Sequence, residues 1–295
     1  EKQETGTEGV IFMDTIQLNH GAAIPQQGLG VFQVTDPAVC RECVLTALQI
    51  GYRLIDTAAC YGNEAAVGAA VQESGIVRED LFLTSKVWIQ DAGYDKTLRS
   101  FDRTLKNLGT DYLDLYLIHM PYGDYHGSWR AMEELFRAGR VRAIGVCNFL
   151  PDRLCDLILS HEILPAVNQI ELHPFCQQRA LRNLMGQYHI QPMAWAPFAE
   201  GRNNIFQHPV LSAIGAQYGK TPAQVVLRWL RQEGIIAIPK SIHAQRIQEN
   251  FAVDGFQLSP ADMVQIQALD LGHSLILDVP SVHEIYRLHG IKFEQ

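Results

Sequence analysis

The sequence predicts an α/β protein, a (β/α)8 TIM barrel preceded by an N-terminal β-hairpin, and three observations support this prediction. The chain has 295 residues, close to the roughly 250 that one barrel of this type needs. Short apolar runs rich in β-branched residues recur along it, as expected of buried parallel strands. There are eight such runs with helix signals between them, and eight strands close a barrel.

The strand predictions depend on composition and spacing. The centres of the last seven runs are 23 to 43 residues apart, which is the spacing of successive strand–helix units. In chain order the predicted strands are Gln27–Phe32, Tyr52–Asp56, Leu81–Lys86, Leu113–His119, Ala143–Cys147, Ala166–Glu171, Pro192–Trp195 and Ile235–Pro239. The long interval before the last strand predicts an extra loop at Glu200–Gln207.

Turn and capping residues predict the elements between the strands. Asn19–Gly21 separates two short alternating segments and predicts a hairpin turn that plugs the bottom of the barrel. Asp36 as the N-cap, Pro37 at the first helical position and Gly51 past the end predict the first helix. A later helix is predicted from Ser128, Trp129, Met132, Leu135, Phe136 and a closing Gly139.

The chain is expected to hold one barrel domain, residues 13–295, because no linker or composition shift interrupts it. Residues 1–12 are polar and are interpreted as an extension or an expression remnant. Six cysteines are too few for a disulfide scaffold, and no signal peptide is evident, which favours the cytoplasm. Cys40 and Cys43 form a CxxC within the first helix and are interpreted as core-facing or half-exposed thiols rather than a redox pair.

Charge and hydropathy exclude several classes of protein. The net charge is −8 and no block of basic residues occurs, so no nucleic-acid partner is expected. The aliphatic runs, such as Ile235–Ile238, are far shorter than the roughly 18 residues that a membrane helix requires. We therefore expect a soluble protein without a membrane partner. We also expect a monomer rather than an oligomer.

Common nucleotide and hydrolase motifs are missing from the sequence. Gly28-Leu-Gly30 lacks the third glycine of a Rossmann fingerprint, because Gln33 occupies that position. Gly215 to Thr221 has one residue too few between its glycines for a P-loop, and it is interpreted as a helix end followed by a new N-cap at Thr221. We find no metal-ligand constellation and no GxSxG elbow, so no metal is expected.

Polar residues lie where the predicted strands end, which is where barrels of this type hold their chemistry. Asp56, Lys86 and His119 end the second, third and fourth strands, and Tyr61 follows in the second loop. Taken singly, each has a structural interpretation: a helix cap, a solvated cation, a core histidine and a half-buried aromatic ring. Together they can transfer a proton, and we call them the tetrad.

The chemistry of the tetrad follows from the charges of its members. A phenol with a pKa near 10 is a weak acid at neutral pH unless a cation stabilises its phenolate, and Lys86 can do this for Tyr61. A buried Lys86 needs a counter-charge, which Asp56 supplies. His119 can donate a hydrogen bond to a substrate oxygen beside the Tyr61 hydroxyl.

From about Thr15 to its C-terminus, the chain resembles the aldo-keto reductases. The motifs that carry the resemblance are GYRLIDTAACYGNE (Gly51–Glu64), LTSKVW (Leu83–Trp88), LDLYLIHMP (Leu113–Pro121), GVCNF (Gly145–Phe149) and IPKS (Ile238–Ser241). The sequence is most similar to the bacterial branch of 2,5-diketo-D-gluconate reductase and methylglyoxal reductase-like enzymes. The resemblance implies an NADPH-dependent carbonyl reductase, with Tyr61 as general acid supported by Asp56, Lys86 and His119, and a small carbonyl compound as the partner.

The resemblance also implies a set of cofactor-binding residues. Asn148 and Gln169 match the amides that bind the nicotinamide carboxamide, and Trp195 matches the ring that stacks on the nicotinamide, with core packing as the alternative. NADPH is favoured over NADH because the cationic set of the 2′-phosphate is present. That set is Lys240, Ser241 and Arg246, and the remaining cofactor positions are Gly30, Ala196, Phe198 and Asn250.

The predicted substrate pocket is lined by Phe32, Trp88 and Met120. The chain departs from the family pattern at three positions. Cys147 replaces a serine, Trp195 a more frequent tyrosine, and Met120 a common tryptophan, which softens one pocket wall. The tail after Pro280 either covers one side of the pocket or packs on the barrel. Substrate specificity resides in loops whose conformation the sequence does not give.

Two other classes of function remain open. A non-catalytic NADPH-binding module that senses redox state can carry the same motifs, although the complete tetrad favours catalysis. A metal-assisted barrel hydrolase or isomerase is a more distant alternative.

Overall fold

The computed structural model describes residues 14–293, so the expectation for residues 1–12 lies outside this range. Ten strands are present there: β1 (Thr15–Gln17), β2 (Ala23–Pro25), β3 (Gly28–Gly30), β4 (Leu54–Asp56), β5 (Phe82–Val87), β6 (Leu113–Ile118), β7 (Val141–Cys147), β8 (Val167–Glu171), β9 (Gln191–Trp195) and β10 (Ile236–Ala237). The α-helices are α1 (Pro37–Ile50), α2 (Glu64–Ser74), α3 (Tyr94–Leu108), α4 (Tyr125–Arg137), α5 (Pro151–Ser160), α6 (Arg179–Gln187), α7 (Pro209–Tyr218), α8 (Pro222–Gln232), α9 (Ala244–Phe251), α10 (Pro260–Gln267) and α11 (Val282–Gly290).

Strands β3 to β10 form one parallel sheet in chain order, and its two edges meet. Gln27 pairs with Ala237, and the Gly30 amide donates to the Pro239 carbonyl at 3.2 Å. A Cβ at Gly30 would lie 2.8 Å from the Ile238 carbonyl oxygen, so glycine permits this close approach. All eight predicted strands are present, and the predicted barrel is confirmed.

The last strand is shorter than predicted. The sequence pattern extends over Ile235–Pro239, whereas β10 contains only Ile236 and Ala237. Ile238 still donates its amide to the Ala194 carbonyl at 3.3 Å. Pro239 has no amide hydrogen to continue the ladder, which accounts for the early end of the strand.

The predicted hairpin is confirmed and closes one end of the barrel. Strands β1 and β2 pair antiparallel, and Gly21 takes the positive φ of +89° that the turn requires. The His20 ring lies 2.8 Å from the Leu164 carbonyl oxygen, and Asn19 donates to the Pro165 carbonyl at 3.0 Å. Because Leu164 and Pro165 precede β8, the hairpin covers the N-terminal ends of the strands.

Helix α1 begins and ends as predicted. The Asp36 carboxylate accepts hydrogen bonds from two amides of the first turn, at 2.8 and 3.0 Å, and Gly51 ends the helix with φ +125°. Cys40 and Cys43 are buried free thiols on this helix. Their interpretation as packing residues is therefore confirmed.

Two later regions differ in detail from the sequence expectations. Helix α4, predicted from Ser128, begins at Tyr125 because the Asp124 side chain caps its first turn. The loop expected at Glu200–Gln207 is a run of 3-10 turns over Ala199–Gln207. It is followed by α7 and by α8, which starts with a capping box at Thr221. Within residues 14–293, each helix is too short or too polar to cross a lipid bilayer.

Strand side chains alternate between the barrel interior and the helix layer, as parallel strands require. The interior is filled by one apolar cluster that includes the hairpin residues Leu18 and Ile24. A second, larger cluster lies between the strands and the helices. Leu54, Phe82 and Met193 belong to the interior cluster, so the same alternation points every second residue further along these strands into the mouth of the barrel.

Candidate active site

The centre of the site is an ion pair between two neighbouring strands. Asp56 ends β4, two residues after the interior side chain of Leu54. Lys86 lies near the end of β5, four residues after the interior side chain of Phe82. Lys86 Nζ lies 2.5 Å from Asp56 Oδ1 and donates to the Thr57 carbonyl at 2.9 Å. The exposed fractions of the two residues are 0% and 2%, so the pair is shielded from solvent.

Burial raises the pKa of Asp56, and the Lys86 charge opposes this shift, so each partner supports the ionised form of the other. Burial acts to lower the pKa of Lys86, but the Asp56 carboxylate opposes it, and the pKa of Lys86 is raised overall. Gln169 Nε2 donates to the second carboxylate oxygen of Asp56 at 2.8 Å. Lys86 is therefore an ammonium ion at neutral pH, with Asp56 as the counter-charge that the sequence argument required.

Tyr61 lies at the end of a 3-10 turn, Ala59–Tyr61, that follows β4. Its hydroxyl is 3.4 Å from Lys86 Nζ. Burial raises the pKa of Tyr61, and the Lys86 charge opposes this without reversing it. The motif reveals only the neighbouring cation, whereas in the structure desolvation of the phenol has the larger effect on its pKa. The phenol therefore stays protonated at neutral pH, as a proton donor must.

His119 directly follows β6 and completes the tetrad. Its ring stands edge-on to the Tyr61 ring, with 5.6 Å between centroids, and edge-on to Trp88 at 5.0 Å. Burial, together with the Lys86 charge, lowers the pKa of His119 well below its ordinary value. The imidazole is neutral at physiological pH, so it carries a single N–H donor. The structure brings all four predicted residues together.

The residues expected at the nicotinamide surround the tetrad. Asn148 follows β7 with φ +62°, and its Nδ2 donates to the His119 carbonyl at 3.1 Å. The Trp195 indole Nε1 donates to Asn148 Oδ1 at 2.8 Å. Gln169 contacts Asp56, as described above. Trp195 is only partly buried, so the indole presents a surface to the mouth instead of packing wholly in the core.

The residues expected at the 2′-phosphate lie beyond β10. Lys240 and Arg246 are exposed, and Ser241 is buried, with its hydroxyl 3.1 Å from the His243 amide that donates to it. Asn250 is buried near the end of α9. Two cationic side chains and a hydroxyl therefore share one short segment at the rim.

The remaining residues predicted to bind the cofactor are Gly30, Ala196 and Phe198. Gly30 lies at the seam between β3 and β10, where the backbone of Ile238, just after β10, is close. Ala196 follows β9 with φ +45°, and Phe198 is half-buried with its ring 5.5 Å from that of Phe206. All three lie at C-terminal ends of strands or just beyond them, on the same side as the tetrad.

The predicted pocket residues Phe32, Trp88 and Met120 differ in their surroundings. Phe32 is 50% exposed, and its ring centroid lies 4.9 Å from that of Tyr61. Trp88 and Met120 are buried in a small apolar cluster with Leu288. Phe32 is thus open to solvent, whereas the other two are covered by the C-terminal part of the chain.

That cover is a segment we call the C-terminal strap, residues 274–293. The Trp88 indole donates to the Ile291 carbonyl at 3.1 Å, and the Tyr122 hydroxyl donates to the Val279 carbonyl at 2.5 Å. Leu277 and Phe293 pack against the cluster of Trp88 and Met120. The strap therefore packs over Trp88 and Met120, two of the three residues predicted to line the pocket.

Sequence reasoning missed Glu171, which fastens the strap. Glu171 ends β8, and its carboxylate accepts the Leu275 amide at 2.8 Å, the Ile276 amide at 3.3 Å and the Leu277 amide at 3.2 Å. It also contacts His173 Nε2 at 3.1 Å. Its place at a strand end is the only sequence signal for this role, since its partners lie about a hundred residues away.

Comparison with known proteins agrees with this geometry. A sequence model of the Aldo/keto reductase family matches residues 26–271, and the chain belongs to this family. It is 47% identical to a glyoxal reductase of Bacillus subtilis, over 87% of this chain and 93% of that protein. It is 41% identical to the methylglyoxal reductase DkgA of Escherichia coli, over 88% and 94%. The resemblance stated from the motifs is therefore confirmed.

Solved structures agree at the level of the fold. An aldo/keto reductase from Brucella melitensis superposes with a TM-score of 0.85 at 45% identity, covering 88% of this chain and all of that one. A variant of Gox0644 in complex with NADPH gives a TM-score of 0.87 at 38% identity, covering 96% and 100%. The chain is therefore an oxidoreductase of the aldo/keto reductase type.

Proposed function

We propose that this protein reduces aldehydes or reactive ketones to alcohols with NADPH, and that Tyr61 is the general acid. The observation that carries the proposal is the contact of Lys86 with both Asp56 and Tyr61 at the mouth of the barrel. A protonated phenol beside a buried ammonium ion can release its proton where an alkoxide forms, because the cation stabilises the phenolate left behind.

The residues at the rim fit a dinucleotide with a 2′-phosphate. The exposed ammonium and guanidinium groups of Lys240 and Arg246 complement a phosphate dianion. The part-exposed indole of Trp195, held by Asn148, offers a flat surface to a nicotinamide ring. NADPH complexes of structural relatives support the same cofactor.

The cofactor supplies a hydride when bound, and the protein supplies the proton and the geometry. The carbonyl carbon gains the hydride and the carbonyl oxygen gains the proton of Tyr61, so the two-electron reduction is balanced. Lys86 holds the resulting phenolate until solvent returns a proton. His119 orients the carbonyl oxygen towards Tyr61, and the buried side chains of Trp88 and Met120 exclude water from one side.

Tyr61→Phe tests the proposal directly. We expect kcat for NADPH oxidation to fall roughly 10²- to 10⁴-fold, the contribution of a general acid, while the Kd of NADPH stays unchanged. NADPH oxidation is measured with a panel of carbonyl compounds, namely methylglyoxal, aromatic aldehydes, open-chain sugars and diketo-gluconate. The same measurements are made with NADH in parallel. Tyr94→Phe, on the outer helix α3, is the matched control.

Two results would contradict the proposal. Unchanged turnover in Tyr61→Phe would remove the assigned role of the phenol. Tight NADPH binding without turnover of any carbonyl compound would favour a non-catalytic redox-sensing module. Activity that survives chelators would separately remove a metal-assisted reaction.

A further inference from the structure

Cys60 lies in the candidate active site but neither donates the proton nor stabilises the phenolate in the proposed reaction. It precedes Tyr61 in the turn after β4, and its Sγ lies 3.4 Å from His119 Nδ1. The thiol packs beside the apolar cluster that Trp88, Met120 and Leu288 form. A thiol in contact with the imidazole of the tetrad can decide which ring nitrogen carries the proton.

We propose that Cys60 is a positioning residue whose thiol donates a hydrogen bond to His119 Nδ1 and so fixes the tautomer that carries its proton on Nε2. The inference rests on the proposed function, since it assigns the state in which His119 meets the carbonyl oxygen. The proton of a neutral histidine is set by the hydrogen bond that its other nitrogen makes. Here that bond is made by Cys60.

The protonation states of both partners allow the thiol to be the donor. Burial raises the pKa of Cys60 to about 12, so the sulfur keeps its hydrogen at neutral pH and can donate it. His119 is neutral, as shown above, and its unprotonated nitrogen is a strong acceptor. The reverse bond, from Nδ1–H to the thiol sulfur, would pair the imidazole with a weak acceptor, and the ring nitrogen shifts measured below distinguish the two directions.

The hydrogen-bond partners of the two side chains agree with this arrangement. Among residues 14–293, no second side chain accepts a hydrogen bond from Cys60. Within the same residues, His119 Nε2 has no protein partner, and the His119 side chain remains partly exposed. With Nδ1 occupied by Cys60, the Nε2–H group is the donor that remains for a substrate oxygen.

The tautomer affects the rate because the other form of His119, with its proton on Nδ1, would disfavour the developing alkoxide. With the proton on Nδ1, a lone pair on Nε2 would face the carbonyl oxygen and repel the negative charge that develops there. An Nε2–H group instead donates a hydrogen bond that strengthens as the alkoxide forms. Loss of such a bond lowers kcat with little effect on KM.

The experiment measures the tautomer and the rate separately. The full-length protein is labelled with ¹⁵N in its histidine rings and saturated with NADP⁺, and the ring nitrogen shifts of His119 show which nitrogen carries the proton. The spectrum of His119→Gln assigns the signals. We compare wild type with Cys60→Val, which removes the donor, and Cys60→Ser, which keeps one. Cys155→Val, on the outer helix α5, is the control.

We expect the proton on Nε2 in the wild type, in Cys60→Ser and in Cys155→Val. In Cys60→Val we expect a mixture with the Nδ1–H form and a kcat roughly 3- to 10-fold lower, the size of one hydrogen bond, at unchanged Kd of NADPH. If Cys60→Val does not fold, Cys60→Ala takes its place.

Two outcomes would overturn the inference: a proton on Nδ1 in the wild type, or an unchanged tautomer and rate in Cys60→Val. These outcomes are distinct from failure of the proposed function. A wild-type protein that oxidises NADPH with no carbonyl compound would refute the proposed function, while the nitrogen shifts would still report the tautomer.

Discussion

Lys86 has three partners at the bottom of the mouth, and each restricts it differently. The Asp56 carboxylate keeps it charged, the Thr57 carbonyl fixes its direction, and the remaining contact is with the Tyr61 hydroxyl. A buried lysine without a carboxylate would lose its proton. The stability of the fold and the proposed proton transfer therefore both depend on the Lys86 side chain.

We predict that Lys86→Met lowers kcat by at least about 100-fold and lowers the free energy of unfolding by about 3 to 5 kcal/mol. The second effect arises because Asp56 is left as a buried carboxylate without its counter-charge. Steady-state kinetics and denaturant titration measure the two quantities.

The double variant Lys86→Met with Asp56→Asn serves as the control. It removes both charges, so most of the lost stability should return while turnover stays low. A single variant as stable as the wild type would mean that Asp56 is not an ionised, buried group.

At the scale of elements, the site is a set of strand ends with a strap fastened across them. The strands place their residues by register, because neighbouring parallel strands end at the same edge. The strap has no such register, and the Glu171 carboxylate holds it through three successive amides. Several backbone donors on one carboxylate stabilise its ionised form, so the fastening depends on pH.

We predict that Glu171→Gln is less stable than the wild type, and that the difference is largest at pH values above the ordinary pKa of a glutamate. Burial acts to raise the pKa of Glu171, but its contacts with His173, Ser274 and Leu275 lower it overall from 4.5. A depressed folded-state pKa adds stability that is fully present above about pH 4.5 and is lost as the pH falls through the folded value.

Denaturant titrations of both proteins between pH 3 and pH 7 test this prediction. The difference in unfolding free energy between wild type and Glu171→Gln should be largest near pH 7 and shrink in acid. A difference that does not vary with pH would show that Glu171 ionises in the same way in the folded and unfolded chains. KM for the carbonyl substrate should rise in the variant, since the strap packs on Trp88 and Met120, which are predicted to line the pocket.

At the scale of the whole molecule, the features that could be predicted are those that a local sequence pattern determines. The eight strands follow from apolar runs, and the tetrad follows from polar residues placed at their ends. Cys60 and Glu171 could not be found in the same way. Cys60 meets His119 only after β4 and β6 come together, and Glu171 binds a strap with no periodic pattern. The pKa of Tyr61 likewise depends on a burial that the motif does not reveal.

We predict that NADPH stabilises the folded protein more than NADH does, through Lys240 and Arg246. A ligand at 100 times its Kd adds about 2.7 kcal/mol to the free energy of unfolding. In the double variant Lys240→Ala with Arg246→Ala, the thermal shift produced by a fixed NADPH concentration should fall, while the shift with NADH should stay the same.

Thermal melts with each cofactor provide the measurement. Lys220→Ala, a lysine in the connection between α7 and α8, controls for loss of positive charge in general. Equal losses for NADPH and NADH in the double variant would place the 2′-phosphate elsewhere.

The hairpin β1–β2 sits at the end of the barrel opposite the mouth, whereas the strap ends beside Trp88 and Met120. An immobilised preparation would therefore behave differently according to which end carries the linker. Anchoring at the hairpin turns the mouth away from the support and leaves it open to reactants. Anchoring beyond Phe293 would pull on the pocket wall, so the attachment point decides how much activity such a material retains.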